Sequence, residues 1–419
     1  MMPHRYLLVC GTFFLSVLLY VDRACISAAK NDIGSDLSLT DEQMAWVLGA
    51  FSVGYALFQT PGGWMADRFG PRRMLTGIVI LWSIFTGLTA AAFSFTTMVA
   101  TRLLFGAGEA GAFPGLARAC YSWIPMQERG TVQGINFSGS RLGAALALPG
   151  IAYLIEQFGW RTSFVVLMGA GLVFAVGWWF WFRDEPTEKK GISQTELDFI
   201  LANRQQQTSD ASEAKPLSAA TLGKSPQMWL VCLQYFSSNF TFFFCLTHWF
   251  PHLKAEYQLD NIQAGWYASA PLIAGAFGNW FSGTLIDQLY RRDRWTLSRR
   301  VPAVIGFVLA TVGVLMSMQQ DTVGPAVAWF CVAVFGADMT LAPSWSFCMD
   351  IGKQHSGVVS GTMNMAGNVG GFLTTLAYFY LREWSGAQST FFIVAAALNA
   401  TAVGCWLVLN PQRPLIDNE

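Results

Sequence analysis

Charged residues are scarce in this chain. They make up 12% of its 419 residues, about half of the roughly 25% that is usual in soluble domains, whereas hydrophobic residues make up 53%. The 26 basic and 26 acidic residues give a formal net charge of zero, and the basic residues do not cluster as they do in nucleic-acid-binding domains. This composition argues against a soluble domain and a nucleic-acid partner, and it predicts that a lipid bilayer is the solvent.

The motifs of common enzymes are also missing. The sequence has no GxxxxGK[ST] phosphate-binding loop, no HExxH zinc motif and no GxSxG nucleophile motif. Its eight cysteines form no CxxC pair, so free thiols are expected rather than disulfides or zinc ligands. We therefore expect no enzymatic activity, no cofactor and no metal, and we do not expect ATP to drive the protein directly.

Long apolar runs are present from end to end. Each is about 20 residues long, which is enough to cross a ~30 Å hydrocarbon core. Continuous runs of this length indicate helices rather than alternating strands, because only helices and closed barrels satisfy the backbone in lipid. Twelve spans are predicted: 6–29, 44–65, 74–93, 97–120, 131–154, 163–182, 227–250, 262–286, 301–318, 324–348, 357–380 and 389–409.

The spans form two groups of six, and the two groups resemble each other. Gly63 and Asp67 recur as Gly283 and Asp287, in both cases 220 residues later, which indicates an internal repeat. The predicted fold is therefore an all-α integral membrane protein with two pseudo-symmetric six-helix bundles. The predicted domains are an N-terminal bundle at 1–184, a polar cytoplasmic linker at 185–225 and a C-terminal bundle at 226–419.

The distribution of basic residues predicts the orientation. If the N-terminus is cytoplasmic, 18 of the 26 Lys and Arg residues fall in cytoplasmic segments and four fall outside, as the positive-inside rule requires. This count assigns Arg299 and Arg300 to the cytoplasmic segment before the ninth span. Both termini are predicted to be cytoplasmic, and the compact loops suggest a bacterial inner membrane.

Two pairs of ionisable residues lie inside spans. Asp22 and Arg23 are in the first span, and Arg102 and Glu109 are in the fourth. A charge inside a bilayer is costly and marks a transport pathway, a proton relay or a ligand site. Arginine holds a carboxylate through a two-pronged hydrogen bond, and a carboxylate that loses its arginine takes up a proton. We therefore predict that Arg23 and Arg102 bind an anion and that Asp22 and Glu109 couple its movement to protons.

Other interpretations of these charges stay open. The charges could form static salt bridges between the first and fourth spans. Arg102 could also be mainly the structural partner of Glu109, since residues seven apart face the same side of a helix. Arg141, in the fifth span, could be a second anion anchor, or it could pair with Glu109 or Asp338.

Several motifs carry a family resemblance. The loop Gly62–Arg73, with the sequence GGWMADRFGPRR, resembles the signature of the major facilitator superfamily. Tyr20–Arg23, Arg102–Ala110 and Ser360–Asn364 add a resemblance to the anion:cation symporter family within it. Its bacterial members take up sugar acids such as galactonate, glucarate and hexuronates with protons, and its animal relatives carry glutamate or sialic acid. The resemblance implies proton-coupled symport of an organic anion by alternating access.

The residues and the resemblance together give a candidate site. Tyr20, Tyr55, Asn364 and Asn368 can hydrogen-bond a polyol, although they could also serve only in packing. Trp345 could wall the cavity, and the resemblance adds Ser140. The predicted substrate-binding residues are Tyr20, Arg23, Tyr55, Arg102, Ser140, Arg141, Trp345, Asn364 and Asn368.

The resemblance also implies a cytoplasmic gate. Its predicted residues are Gly63, Asp67, Arg68, Arg72, Arg73 and Asp287. The second copy has Gln288 where the first has Arg68, so we expect the second gate to be the weaker one.

Three functions fit the sequence. The first is proton-coupled import of an organic acid, with the small-molecule anion and the bilayer as partners and the protein acting as a monomer. The second is a sodium-coupled or uncoupled carrier, or an exporter of apolar compounds, although the arginines disfavour apolar cargo. The third is a receptor that binds a sugar acid without moving it, which the short linker and tail disfavour.

Overall fold

The computed structural model describes residues 2–205, 217–387 and 389–415. Within these residues all regular secondary structure is helical, which confirms the predicted fold class. Residues 206–216 of the predicted linker and residues 416–419 of the predicted cytoplasmic C-terminus lie outside the described residues.

The helices are numbered in chain order. They are α1 His4–Ala28, α2 Lys30–Asp36, α3 Asp41–Phe69, α4 Pro71–Ala90, α5 Phe95–Glu109, α6 Ala112–Trp123, α7 Arg129–Trp181, α8 Gln194–Asn203, α9 Ala219–Lys224, α10 Pro226–Thr247, α11 Trp249–Tyr257, α12 Asn261–Tyr290, α13 Trp295–Ser317, α14 Val323–Met339, α15 Leu341–Gly352, α16 Ser356–Ser385 and α17 Ser389–Val408.

The predicted spans correspond to these helices. The twelve crossings are α1, α3, α4, α5 with α6, the two parts of α7, α10, α12, α13, α14 with α15, α16 and α17. Seven helical segments of the described chain are long and apolar enough to cross a membrane on length and composition alone. The fourth crossing is not among them, because α5 has 15 residues and α6 has 12, and a single crossing needs about 20.

Two crossings are broken, and one long helix contains two crossings. The predicted span 97–120 is broken between Glu109 and Ala112, and the predicted span 324–348 is broken at Thr340. The long helix α7 contains Gly159 with φ 78° and ψ 162°, a conformation that glycine adopts without steric cost. Gly159 therefore separates the fifth crossing from the sixth.

The chain groups into two compact units. Unit 1 contains Met1–Pro125, Gly139–Arg204 and Gln354–Thr362, and unit 2 contains Met126–Ser138, Gln205–Lys353 and Met363–Glu419. Unit 1 has an apolar core around Met44, Met98 and Phe164. The core of unit 2 is aromatic: the buried Trp249 ring stacks on Phe330 with a centroid distance of 3.8 Å. The domain boundaries at 184 and 226 stay a prediction.

Two residues of the charge count lie in a helix. Arg299 and Arg300 belong to the N-terminal part of α13, and their cytoplasmic location stays a prediction. Arg299 is fully buried and its Nε atom lies 2.7 Å from Asp350 Oδ2, while the buried Arg129 contacts Oδ1 of the same carboxylate at 2.8 Å. Counting basic residues by position treats each of them as solvated. Arg129 and Arg299 are instead buried, and Asp350 supplies the counter-ion that a buried charge needs.

Candidate functional site

An ion pair joins α1 to α5 inside unit 1. The Nε atom of Arg23 donates to Glu109 Oε1 at 3.0 Å and to Oε2 at 3.3 Å. The Glu109 side chain has 0% exposure, and that of Arg23 has 20%. The sequence left open a salt bridge between the first and fourth spans but did not name Arg23 and Glu109 as its two partners.

Aromatic rings surround the Arg23 guanidinium. Its carbon atom lies 4.4 Å from the centre of the Tyr55 ring and 5.0 Å from each of the Tyr20 and Phe51 rings. Such rings attract a cation through their negatively charged faces. The Nη2 atom of Arg23 is buried and has no hydrogen-bond partner. Arg23 is thus held on one edge by Glu109 and on its faces by rings, and it keeps an unused donor.

A second arginine and a second carboxylate complete the cluster. Arg102 is buried, packs over Phe105 at 4.6 Å and has an Nε atom without a hydrogen-bond partner. The buried Asp22 interacts electrostatically with both Arg102 and Glu109. Two arginines and two carboxylates therefore share one buried region, and their formal charges cancel.

Arg102 is not the hydrogen-bond partner of Glu109. The helix places them on one face, as predicted, but seven residues also separate them by about 10 Å along the axis. Glu109 therefore reaches across to Arg23 instead. Arg102 keeps only a longer-range electrostatic interaction with Glu109 and Asp22.

Ser140 and Arg141 lie on α7 in the same unit. Both are buried, and the Ser140 hydroxyl has no hydrogen-bond partner. The predicted substrate contact of Ser140 stays a prediction. Both predicted roles of Arg141 stay predictions.

The remaining predicted substrate residues belong to unit 2. The Trp345 indole is buried and donates through Nε1 to the Tyr235 hydroxyl at 2.9 Å. On α16, Asn364 is buried, and the Asn368 side-chain amide donates to the backbone carbonyl of Asn364 at 2.8 Å. Sequence reasoning missed Tyr235, because a tyrosine within an apolar span gives no signal until its partner is known.

Asp67 binds the N-terminus of α16. Its two carboxylate oxygens accept from the backbone N–H groups of Gly357 and Val358, both at 2.8 Å. A side chain at Gly63 would put Cβ 2.1 Å from the Gly357 carbonyl oxygen, so this approach requires glycine. Arg118 lies 3.8 Å from the same carboxylate. The sequence did not predict this ion pair, because nothing in the spacing relates Arg118 to Asp67.

The other predicted gate residues of unit 1 have different surroundings. Arg68 packs over the Trp64 ring at 5.1 Å. Arg72 donates through Nε and Nη2 to the Trp179 carbonyl at 2.9 and 2.8 Å, and Arg73 is exposed. Of the cations predicted for the gate, Arg72 thus joins α4 to the sixth crossing.

Asp287 repeats the Asp67 arrangement inside unit 2. Its carboxylate accepts from the backbone N–H groups of Gly130 and Thr131, both at 2.9 Å, at the start of α7. Each aspartate therefore caps a helix with the same pair of backbone donors. The replacement of Arg68 by Gln288 in the second copy does not change these hydrogen bonds, because backbone N–H groups supply the donors to both aspartates. The expected weaker second gate is therefore not visible in them.

Comparison with known proteins agrees with this fold. The sequence profile of the Major Facilitator Superfamily matches residues 12–375. The probable sulfoacetate transporter of Cupriavidus necator is 32% identical over 406 residues, which cover 96% of this chain and 92% of that protein. The probable galactarate/D-glucarate transporter of Escherichia coli K12 is 30% identical, with 97% and 93% covered, and the hexuronate transporter of Bacillus subtilis is 29% identical, with 96% and 94% covered.

Solved structures share the fold. The proton:xylose symporter of the superfamily superposes with a TM-score of 0.75 at 16% identity, covering 97% of this chain and 96% of that chain. The human organic anion transporter MFSD10 gives a TM-score of 0.72 at 14% identity, covering 97% and 100%.

The chain belongs to the Major Facilitator Superfamily and, within it, to the sugar-acid anion transporter family of these relatives. It is a multi-pass membrane transporter rather than an enzyme. The resemblance expected from the sequence motifs is confirmed.

Proposed function

We propose that this protein imports an organic anion together with protons by alternating access. The substrate is a sugar acid such as a hexonate, hexarate or hexuronate. The observation that carries the proposal is the Arg23–Glu109 pair, a fully buried carboxylate held by an arginine that keeps an unused donor. The similarity to a probable galactarate/D-glucarate transporter and to a hexuronate transporter supports the substrate class.

The charges of the cluster supply the coupling. Arg23, Arg102, Asp22 and Glu109 are neutral as a set, so an entering carboxylate adds a negative charge to a region with little solvent. The carboxylate takes the Arg23 donors by a two-pronged contact, and Glu109 loses its counter-ion. A buried carboxylate without a cation is strongly unfavourable, so Glu109 takes up a proton and the cluster stays neutral.

Release reverses these steps. When the acid leaves on the cytoplasmic side, Arg23 returns to Glu109 and displaces the proton to water. Asp22 is a second proton carrier in this scheme, since it interacts with both Arg102 and Glu109. The protein acts as a monomer in a bacterial inner membrane with both termini in the cytoplasm, and the proton is its coupling ion.

Uptake into proteoliposomes tests the proposal. Labelled galactarate, glucarate, galactonate, glucuronate and sulfoacetate are offered under an imposed inward proton gradient to the parent and to Glu109→Gln. The parent should accumulate at least one acid and lose accumulation when the gradient is collapsed. Glu109→Gln should exchange the acid across the membrane but no longer accumulate it, because its side chain cannot release a proton.

A matched control and a second gradient complete the test. Glu156→Gln makes the same chemical change at an exposed position of α7 and should transport like the parent. Accumulation that follows a sodium gradient instead of a proton gradient would reject proton coupling. Binding of an acid without any transport would favour the receptor interpretation.

A further inference from the structure

Gln59 is an unsatisfied polar residue in the interior of unit 1. Its side chain has 0% exposure, and neither its Nε2 nor its Oε1 atom has a hydrogen-bond partner. A side-chain amide has two donor hydrogens and an acceptor oxygen. Leaving both ends of a buried amide unmet is costly, and such groups in folded proteins call for a specific explanation.

Gln234 shows how the same residue type is normally buried in this protein. Its side chain is also 0% exposed. Its Nε2 atom donates to the Val231 carbonyl at 2.9 Å, and its Oε1 atom accepts from Ser344 Oγ and Trp406 Nε1, both at 3.1 Å. The fold therefore satisfies one buried glutamine amide completely and leaves the other without any partner.

The position of Gln59 relates it to Arg23. Gln59 follows Tyr55 by four residues on α3, which places it on nearly the same helix face and about 6 Å further along the axis. Tyr55 is the ring closest to the Arg23 guanidinium, at 4.4 Å. The Gln59 backbone carbonyl also lies against Gly361 of α16. Gln59 is thus one helical turn from Tyr55, the residue whose ring packs on the proposed carboxylate-binding arginine.

The unmet polar atoms of this region differ in chemistry. Arg23 Nη2 and Arg102 Nε are donors only, which suits a carboxylate. A hydroxyl group needs an acceptor as well as a donor, and the Gln59 amide offers both. Its carbonyl oxygen and amino group can engage one hydroxyl, or two neighbouring hydroxyls of a polyol chain.

We infer that Gln59 is a specificity-determining residue that hydrogen-bonds the hydroxyl groups of the transported acid. It lies one helical turn from Tyr55, whose ring packs on the arginine proposed to bind the carboxylate. This inference rests on the proposed function. It assigns the recognition of the anionic end to Arg23 and the recognition of the polyol chain to Gln59.

The test compares two six-carbon dicarboxylates that differ in their hydroxyl groups. Galactarate carries four hydroxyls and adipate carries none, and sulfoacetate serves as a second hydroxyl-free anion. Binding to the purified full-length protein is measured by calorimetry for the parent and for Gln59→Leu. The Kd of the variant for galactarate should be about tenfold higher than that of the parent, or more. Its Kd for the hydroxyl-free anions should stay within about twofold of the parent's.

Thermal stability gives an independent measurement without ligand. Gln59→Leu should have an equal or higher Tm than the parent, because it removes an unsatisfied buried amide. A clear fall in Tm would mean that the amide supports the fold and would overturn the inference. Thr60→Val is the matched control, because its hydroxyl already pairs with Thr362 at 3.2 Å, and it should not change the preference for galactarate over adipate.

The outcomes separate this inference from the proposed function. If Gln59→Leu weakens all the acids equally, or weakens none, Gln59 does not read hydroxyl groups and the inference fails while the transport assignment stands. A parent that binds only the hydroxyl-free anions would have the same meaning. A parent that binds none of the three acids would reject the organic-anion assignment for these substrates, and with it the inference.

Discussion

Arg23 contacts Glu109 at 3.0 Å through Nε and lies 4.4 Å from the centre of the Tyr55 ring. One carboxylate and a set of rings hold the guanidinium in place, while its Nη2 atom remains without a partner. This arrangement makes the arginine a structural tie between α1 and α5 and leaves one of its donors for the anion of the proposed function. The static salt bridge and the proposed binding role are therefore compatible in one residue.

Arg23→Lys should lower kcat/KM for uptake of the transported acid by about 10- to 100-fold. Lysine keeps the positive charge but lacks the planar fork that binds a carboxylate with two parallel hydrogen bonds and stacks on rings. Uptake rates in proteoliposomes measure the effect, with Arg161→Lys, at an exposed position, as the control. Uptake within twofold of the parent would show that Arg23 supplies only charge.

Asp350→Asn should destabilise the protein by about 3–5 kcal/mol, because it leaves Arg129 and Arg299 buried without their counter-ion. Thermal unfolding in detergent measures the loss. Asp36→Asn is the matched control: it removes the carboxylate of an ion pair with Arg161 in which both side chains are 44% exposed, and it should lower Tm far less. Equal effects would mean that burial does not set the strength of these pairs.

Asp67→Ala should expose the start of α16, because the Gly357 and Val358 N–H groups lose their acceptor. Hydrogen exchange at these amides should accelerate about tenfold or more, since charge-assisted hydrogen bonds contribute about 1.5–3 kcal/mol. Asp287→Ala should do the same at Gly130 and Thr131 and leave α16 protected. Unchanged exchange in both variants would show that these aspartates do not hold the helix ends.

Acid should destabilise unit 2 through His252. Burial lowers the pKa of His252 to about 4, and the positive charge of Arg382 lowers this pKa as well. His252 packs against Trp249 and lies 3.4 Å from the Tyr378 hydroxyl. The unfolded chain binds a proton at His252 below its ordinary pKa of 6.5, whereas the folded chain resists it, so stability falls as the pH drops from about 6.5 to about 4.

The His252→Phe variant isolates this contribution. Its Tm should fall less than that of the parent between pH 7.5 and pH 5, because phenylalanine fills the aromatic cluster and has no proton to bind. Scanning fluorimetry at several pH values measures both slopes. Parallel slopes would mean that His252 does not contribute to the acid sensitivity.

Much of the candidate site could be located from the sequence. Asp22, Arg23, Arg102 and Glu109 are conspicuous because a charge in an apolar run has few uses. The partner of Glu109 could not be located in the same way, since helix periodicity points to Arg102 whereas the side chain reaches Arg23 on another helix. Gln59, Tyr235 and Arg118 were missed, because an uncharged polar residue or a lone arginine in a span acquires meaning only from its neighbours.

The sequence by itself determined the membrane setting, the twelve crossings and the internal repeat, because hydropathy and motif spacing are local properties of the chain. The tertiary structure alone decided which charges meet. The carboxylate of Asp350 gathers Arg129 and Arg299 from segments that are far apart in the chain, and Arg23 pairs with Glu109 across 86 positions. Such pairs depend on which helices pack together, and the packing of distant helices cannot be predicted from the pattern of neighbouring residues in the sequence.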